Sequence, residues 1–299
     1  MLSERTSTGI AIDAPAKVNL FLEVLAKRPD GYHDLQTLMV TVSLYDRLEF
    51  RPAEAGTIVL TCNRPELPCG SDNLVQKAAA ALVRFTGFPG GASIHLTKRI
   101  PMAAGLAGGS SDAAATLVGL NDLWGLYLPR PELARLAADV GSDVAFFLTG
   151  GAAWCEGRGE IVTPLIHGRP LDIVLATPPI GLSTAAVFRE VQVPLTPTRG
   201  DAIRRAMNQG DLDGIAAGLF NRLQEPAERI CPEVADLRRR LATLAPAGCL
   251  MTGSGSTVFA LARDRADAER IAGLLLQPER DPRNEFSGRP ILHIVQSCV

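Results

Sequence analysis

Apolar residues fall at two different periods along this chain, and the places where the period changes outline its elements. Residues 9–14 and 18–25 carry the dense, alternating apolar pattern of strands, with Pro15 between them as a breaker. Residues 40–50, 57–61 and 93–98 alternate in the same way. An alanine-rich stretch at 73–85 has helical spacing, and Ser71 or Asp72 stands in place to cap it. A second helix fits about 110–124 and a third runs from Pro131 to about 140. A hairpin follows, in which 152–157 and 160–165 flank a turn at Gly157 to Gly159.

The pattern restarts at about residue 171 with a strand, followed by helices near 183–191, 201–209 and 232–244. Strands at 249–251 and 257–261, a helix at 265–275 and a last strand at 291–295 complete it. The first half reads as mixed α/β and the second as a small, mostly antiparallel sheet covered by helices, so the class is α+β. The expected division is into segments 1–165 and 166–299.

Composition narrows the function classes. A formal net charge of -2 on 299 residues provides no global field for nucleic acid or an anionic membrane, so any anionic ligand needs a local site. The six cysteines include no C-x-x-C pair, which points to reduced thiols and a cytoplasmic chain rather than to zinc or redox chemistry. The start has no signal-like apolar stretch, and the apolar run at 173–188 is broken by Pro178 and Pro179; no membrane span is expected. Only Lys17, Lys27, Lys77 and Lys98 are lysines, the other basic residues being arginines.

The most distinctive segment is Pro101-Met102-Ala103-Ala104-Gly105-Leu106-Ala107-Gly108-Gly109-Ser110-Ser111, a glycine-rich loop that becomes a helix. Glycines let backbone N–H groups approach a ligand, and the helix points its positive end at the same place, which suits phosphate. An ordinary turn with a serine cap would explain the same residues. The lysine of a P-loop is missing and the G-x-G-x-x-G spacing is not met, so the loop needs independent support.

That support comes from Ala14-Pro15-Ala16-Lys17-Val18-Asn19-Leu20 near the start and Met251-Thr252-Gly253-Ser254-Gly255-Ser256-Thr257 near the end. With the loop, they make three motifs that resemble those of the GHMP kinases. Pro29-Asp30-Gly31-Tyr32-His33, Leu35-Gln36-Thr37 and Gly141-Ser142-Asp143-Val144 are similar to the branch that phosphorylates a cytidine-diphosphate-linked methylerythritol. The resemblance covers essentially the whole chain. It implies an N-terminal ribosomal S5-like α/β domain carrying the ATP loop and a C-terminal ferredoxin-like domain completing the substrate site. ATP and Mg²⁺ are the implied cofactors, and cytidine diphosphate methylerythritol the small-molecule partner. The metal ligands are not legible, and the oligomeric state stays open between monomer and homodimer.

The resemblance also assigns residues. Asp143 corresponds to the catalytic aspartate and Lys17 to the lysine that faces it, where an ammonium keeps the carboxylate ionised. By themselves, Lys17 is equally an exposed edge residue and Asp143 a helix cap or turn residue. Asn19, Tyr32 and His33 match the pocket for the cytidine end, with Phe188, near Thr184, as the second aromatic around the base; Gly253 and Ser254 lie beside the substrate. Without the resemblance, Tyr32 is a turn residue, Phe188 a core residue and the Gly253 loop a tight hairpin. Asn73 matches a position near adenine and Lys98 is placed to reach the nucleotide, although a helix cap and a solvated strand end account for them equally well. Ala104 and Ala107 replace glycines usual in the family, and Ser142 and Ala145 replace an alanine and a proline. The loop's N–H donors stay available if φ is negative at both alanines.

Overall fold

The structure is a computed structural model that describes residues 1–277 and 289–298. These residues group into two compact units, neither continuous in sequence: Met1–Ala16, Leu44–Ile100 and Ala107–Gly150 form one, and Lys17–Ser43, Pro101–Leu106 and Gly151–Val299 the other.

In the first unit β1 (Leu2–Thr6) pairs antiparallel with the start of β2 (Gly9–Lys27), from Asp13 back to Gly9. The end of β3 (His33–Ala53) pairs antiparallel with β5 (Gly91–Thr97), which pairs parallel with β4 (Ile58–Cys62). Pro15 does not break β2. It lies beyond Asp13, the last residue paired to β1, so on that side no donor is needed where proline has none.

Helices α1 (Leu74–Thr86), α2 (Gly108–Leu123), α3 (Arg130–Val140) and α4 (Val144–Thr149) complete this unit. Helix α2 buries Ala113, Ala114, Ala115 and Gly119. Such small residues allow a close approach to the sheet: a Cβ added at Gly119 would stand 2.5 Å from the Phe50 ring. The short, wholly apolar α4 escapes a periodicity reading because all of Val144 to Leu148 is buried.

In the second unit the first half of β3 pairs with β6 (Ala152–Gly157), which forms the expected hairpin with β7 (Ile161–Leu165). A separate antiparallel sheet has the order β10 (Gly248–Met251), β11 (Val258–Leu261), β8 (Asp172–Thr177), β12 (Ile291–Gln296). Helices α9 (Pro232–Thr243) and α10 (Arg265–Leu275) bring Val234, Leu237, Leu241, Ile271 and Leu275 into one core with Val174, Val258 and Ala260. Each such side chain contributes about 1.5–3 kcal/mol by leaving water.

The expected α5 (Thr184–Arg189) and α6 (Asp201–Gln209) are present. Three further short elements were not expected: α7 (Leu212–Ala217), β9 (Phe220–Asn221) and α8 (Gln224–Ile230). Two residues of β9 pair parallel with Phe21 and Leu22 of β2. All six cysteines are thiols rather than halves of disulfides. Among the described residues no helix is long and apolar enough to cross a membrane.

Candidate active site

Lys17 is not an exposed edge residue. It is 3% exposed on β2, and its ammonium donates to Asn19 Oδ1 at 2.6 Å and to the carbonyl oxygen of Gly105 at 2.8 Å. Asn19 in turn donates from Nδ2 to Thr37 Oγ1 at 2.8 Å, while Thr252 Oγ1 accepts from the Asn19 backbone N–H at 2.9 Å. Asn19 therefore stands with Lys17 in a buried polar chain.

Residues Pro101–Leu106 are held by backbone bonds: Leu106 O accepts from Lys17 N–H, Ala104 O from Thr257 N–H and Ala103 O from Leu182 N–H. Gly105 and Gly253 are required where they stand. Their φ values are 76° and 56°. A Cβ on Gly105 would meet Thr252 O at 2.2 Å, and one on Gly253 would meet Gly105 O at 2.8 Å and Lys17 Nζ at 3.1 Å. Asn221 secures the Gly253 turn by donating to Met251 O at 2.7 Å and Gly253 O at 2.8 Å. On the same turn Ser254 Oγ lies 2.9 Å from Thr184 Oγ1, so two of the expected substrate residues do meet.

In the other unit, α2 begins at Gly108 with Ala107 as the preceding residue and no side-chain cap. Ser110 and Ser111 lie inside the helix, so the expected serine cap is absent. The N–H groups of the first turn are left to a ligand, the arrangement that suits an anion. Ser111 Oγ is fully buried and has no hydrogen-bond partner among the described residues. Ala107 takes φ 54°, contrary to the negative angle its side chain favours, and Ala103 takes 51°. The loop keeps the glycine-like backbone although alanine replaces glycine.

Lys98 is not a solvated strand end. It is 5% exposed, and its ammonium pairs with Asp46 and, at 2.9 Å, with Asp112 Oδ2. Burial opposes the ammonium, but Asp112 and Asp46 outweigh it and raise the Lys98 pKa. Burial pushes the Asp112 carboxyl up to about 7 against the pull of Lys98, with Asp46 adding to the rise. Asn73 is the cap of α1: its Oδ1 accepts from Val75 N–H at 2.9 Å and its Nδ2 donates to Pro68 O at 2.8 Å. Asp143 occupies the cap position of α4 and makes no side-chain capping bond there.

His33, not Tyr32, stacks on Phe188, with ring centroids 5.2 Å apart and planes at 27°. Tyr32 is 54% exposed, with the Arg158 guanidinium 5.0 Å over its ring. Burial, then the charge of Lys27, lowers the His33 pKa and favours a neutral imidazole.

The comparisons with known proteins agree with one another. Residues 73–151 match the GHMP kinases N terminal domain and residues 203–273 the GHMP kinases C terminal. A 4-diphosphocytidyl-2-C-methyl-D-erythritol kinase of Pelotomaculum thermopropionicum is 47% identical over 261 residues, 87% of this chain and 91% of that one. Its counterpart in Geobacillus thermodenitrificans is 45% identical over 265 residues, 88% and 91% of the two chains. A solved 4-(cytidine 5'-diphospho)-2C-methyl-D-erythritol kinase matches with TM-score 0.77 and 37% identity, over 97% of this chain and all 100% of the other. A homoserine kinase of Cytophaga hutchinsonii shares the fold at TM-score 0.75 and 17% identity, over 100% and 97% of the chains.

The chain belongs to the GHMP kinase family of small-molecule kinases. The relatives that match it over most of its length carry the name of a single activity within that family, the 4-diphosphocytidyl-2-C-methyl-D-erythritol kinases.

Proposed function

We propose that the chain transfers the γ-phosphoryl group of ATP to the 2-hydroxyl of 4-diphosphocytidyl-2-C-methyl-D-erythritol, giving the 2-phosphate and ADP, in the non-mevalonate route to isoprenoid precursors. The observation that carries this reading is agreement over most of the chain with kinases named for that substrate. The chain acts in the cytoplasm. Segment 1–165 supplies the nucleotide loop, and 166–299 completes the substrate site.

Phosphoryl transfer asks for in-line placement and for neutralisation of charge more than for covalent chemistry. The first-turn N–H groups of α2, from Gly108 to Ser110, receive phosphate oxygens. The turn capped by Asn73 lies towards the adenine end. Asp143 accepts the proton of the attacking hydroxyl, and Lys17 supplies positive charge to the chemical step. Tyr32, His33 and Phe188 hold the cytosine, with Thr184 and Ser254 beside them. Mg²⁺ bound with ATP would supply neutralisation of part of the phosphate charge. Among the described residues no group of three or more His, Cys, Asp or Glu side chains could hold a metal, so phosphate oxygens are its natural donors.

A coupled ADP-release assay with the cytidine substrate, homoserine and mevalonate tests the reading. Turnover is expected with the first alone. Faster turnover of homoserine or mevalonate would overturn it.

A further inference from the structure

The buried ion cluster of the first unit has a geometry that calls for a role. The pairing of β3 with β5 sets Arg47 opposite Thr97 and Leu48 opposite Leu96, so Asp46 and Lys98 are the next facing pair. Both point to the apolar side of the sheet, with Leu48, Phe50, Ile94 and Leu96. Asp46 Oδ2 accepts from the Lys98 ammonium. Its other oxygen accepts from the N–H groups of Arg99 and Ile100, at 2.6 and 2.9 Å. The backbone of Lys98 is itself held by Asn63, whose Oδ1 accepts from Lys98 N–H at 2.7 Å.

Gly108, the first residue of α2, rests directly on this cluster. A Cβ there would lie 2.9 Å from Lys98 Nζ, 3.0 Å from Ile100 Cγ2 and 3.2 Å from Asp46 Oδ2. The ammonium thus fills the space on the side of Gly108 where a side chain would project. It would have to leave two carboxylates to touch anything else. Asp112, one turn into α2, takes the remaining ammonium contact, and its Oδ1 is buried without a hydrogen-bond partner among the described residues. The buried faces that α1, α3 and α4 offer are apolar, including Val75, Leu82, Leu133, Leu136 and Phe146.

We propose that Lys98 is a positioning residue: with Asp46 and Asp112 it clamps the first turn of α2, and ATP senses it only through the backbone of Gly108. This deepens the proposed function and rests on its assignment of the ATP phosphates to that turn. Counted with both carboxylates ionised, one lysine between the two leaves the cluster at a formal charge of -1. Removing the lysine alone makes it -2, inside an apolar layer and under the N–H groups that receive phosphate. Removing one carboxylate as well restores -1.

The experiment compares wild type, Lys98→Met and Lys98→Met/Asp112→Asn by calorimetry with ATP and Mg²⁺, by thermal unfolding and by steady-state kinetics. Lys98→Met is expected to weaken ATP binding about tenfold or more, since a second uncompensated carboxylate would then lie under the N–H groups that receive phosphate. The double variant, which has no lysine at the site, is expected to recover ATP affinity to within about threefold of wild type, with the KM for the cytidine substrate unmoved in both variants.

A folded double variant that binds ATP no better than Lys98→Met would overturn the proposal in favour of direct contact with the nucleotide. So would a folded Lys98→Met with wild-type affinity. If Lys98→Met alone does not fold, the double variant decides, and its failure to fold also counts against the clamp. A wild-type chain that bound no ATP would instead remove the functional reading on which the clamp rests.

Discussion

The ammonium of Lys17 donates to the carbonyl oxygen of Gly105, 2.8 Å away and 88 residues further along the chain. One buried lysine thereby fixes the loop before α2 and also keeps its charge away from bulk water, where that charge would be screened.

The chemical step tests Lys17 and Asp143 together. Asp143→Asn keeps shape and removes the proposed base, so kcat is expected to fall by on the order of 10²–10⁴ while both ligands still bind. Lys17→Met is expected to lower kcat as well, through the lost charge and the released Gly105 carbonyl. If the two act as one unit, the double variant is little slower than the slower single variant. Losses that multiply would show independent roles.

Backbone conformation in the loop predicts opposite outcomes for two small changes. Gly105→Ala puts a methyl group 2.2 Å from Thr252 O at a φ of 76°, so the melting temperature and ATP affinity are both expected to drop. Ala107→Gly relieves a left-handed alanine, worth roughly 1 kcal/mol, which offsets the extra chain entropy of glycine. Calorimetric melting is therefore expected to leave Ala107→Gly at or above wild type. A fall of several degrees would contradict the assigned conformation.

The His33–Phe188 stack predicts a pH profile. Burial and Lys27 lower the His33 pKa, so the folded ring resists protonation while the unfolded chain takes up its proton near pH 6.5. The stack is at full strength above that pH and weakens as pH falls through the lowered folded value. KM for the cytidine substrate is expected to rise over that acid range, with KM for ATP little changed. His33→Gln, which cannot titrate, should flatten the profile; an unaltered acid rise in that variant would rule the ring out as its source.

Asn221 offers a prediction that sequence reading did not supply. Asn221→Leu keeps the branched shape but leaves the carbonyls of Met251 and Gly253 without their amide donor. Unsatisfied buried acceptors cost about 1–3 kcal/mol, measurable by urea unfolding. Because the freed turn carries Ser254, KM for the cytidine substrate is expected to rise more than KM for ATP.

The long alternating strands and the helices with clear caps were legible because period and end signals agree there; α6 and α10 begin and end where expected. Residues 33–39 of β3 were not, since His33-Asp34-Leu35-Gln36-Thr37 is too polar to read as strand without its partner β6. The ion cluster could have been found. Asp46 alternates with Leu44, Leu48 and Phe50, and Lys98 with Ile94 and Leu96, so each charge falls on an inward face and needs a partner. What one chain's pattern does not contain is which distant residue answers, as Asp112 does for Lys98, Thr252 for Asn19 and Phe188 for His33. Those pairings depend on tertiary contacts, and so does the stacking of His33 on Phe188.

The uneven burial of the lysines gives the native protein a selective amine chemistry. Lys27 and Lys77 are exposed, whereas Lys17 and Lys98 are buried and hydrogen-bonded. An acylating reagent needs an unprotonated, reachable amine, so under native conditions it is directed to Lys27 and Lys77 among the lysines. A fluorophore or a solid support can therefore be attached through lysine while both ammonium groups of the site stay unmodified. Acylation of Lys17 or Lys98, read by mass spectrometry, becomes a site-resolved report that its own compact unit has opened.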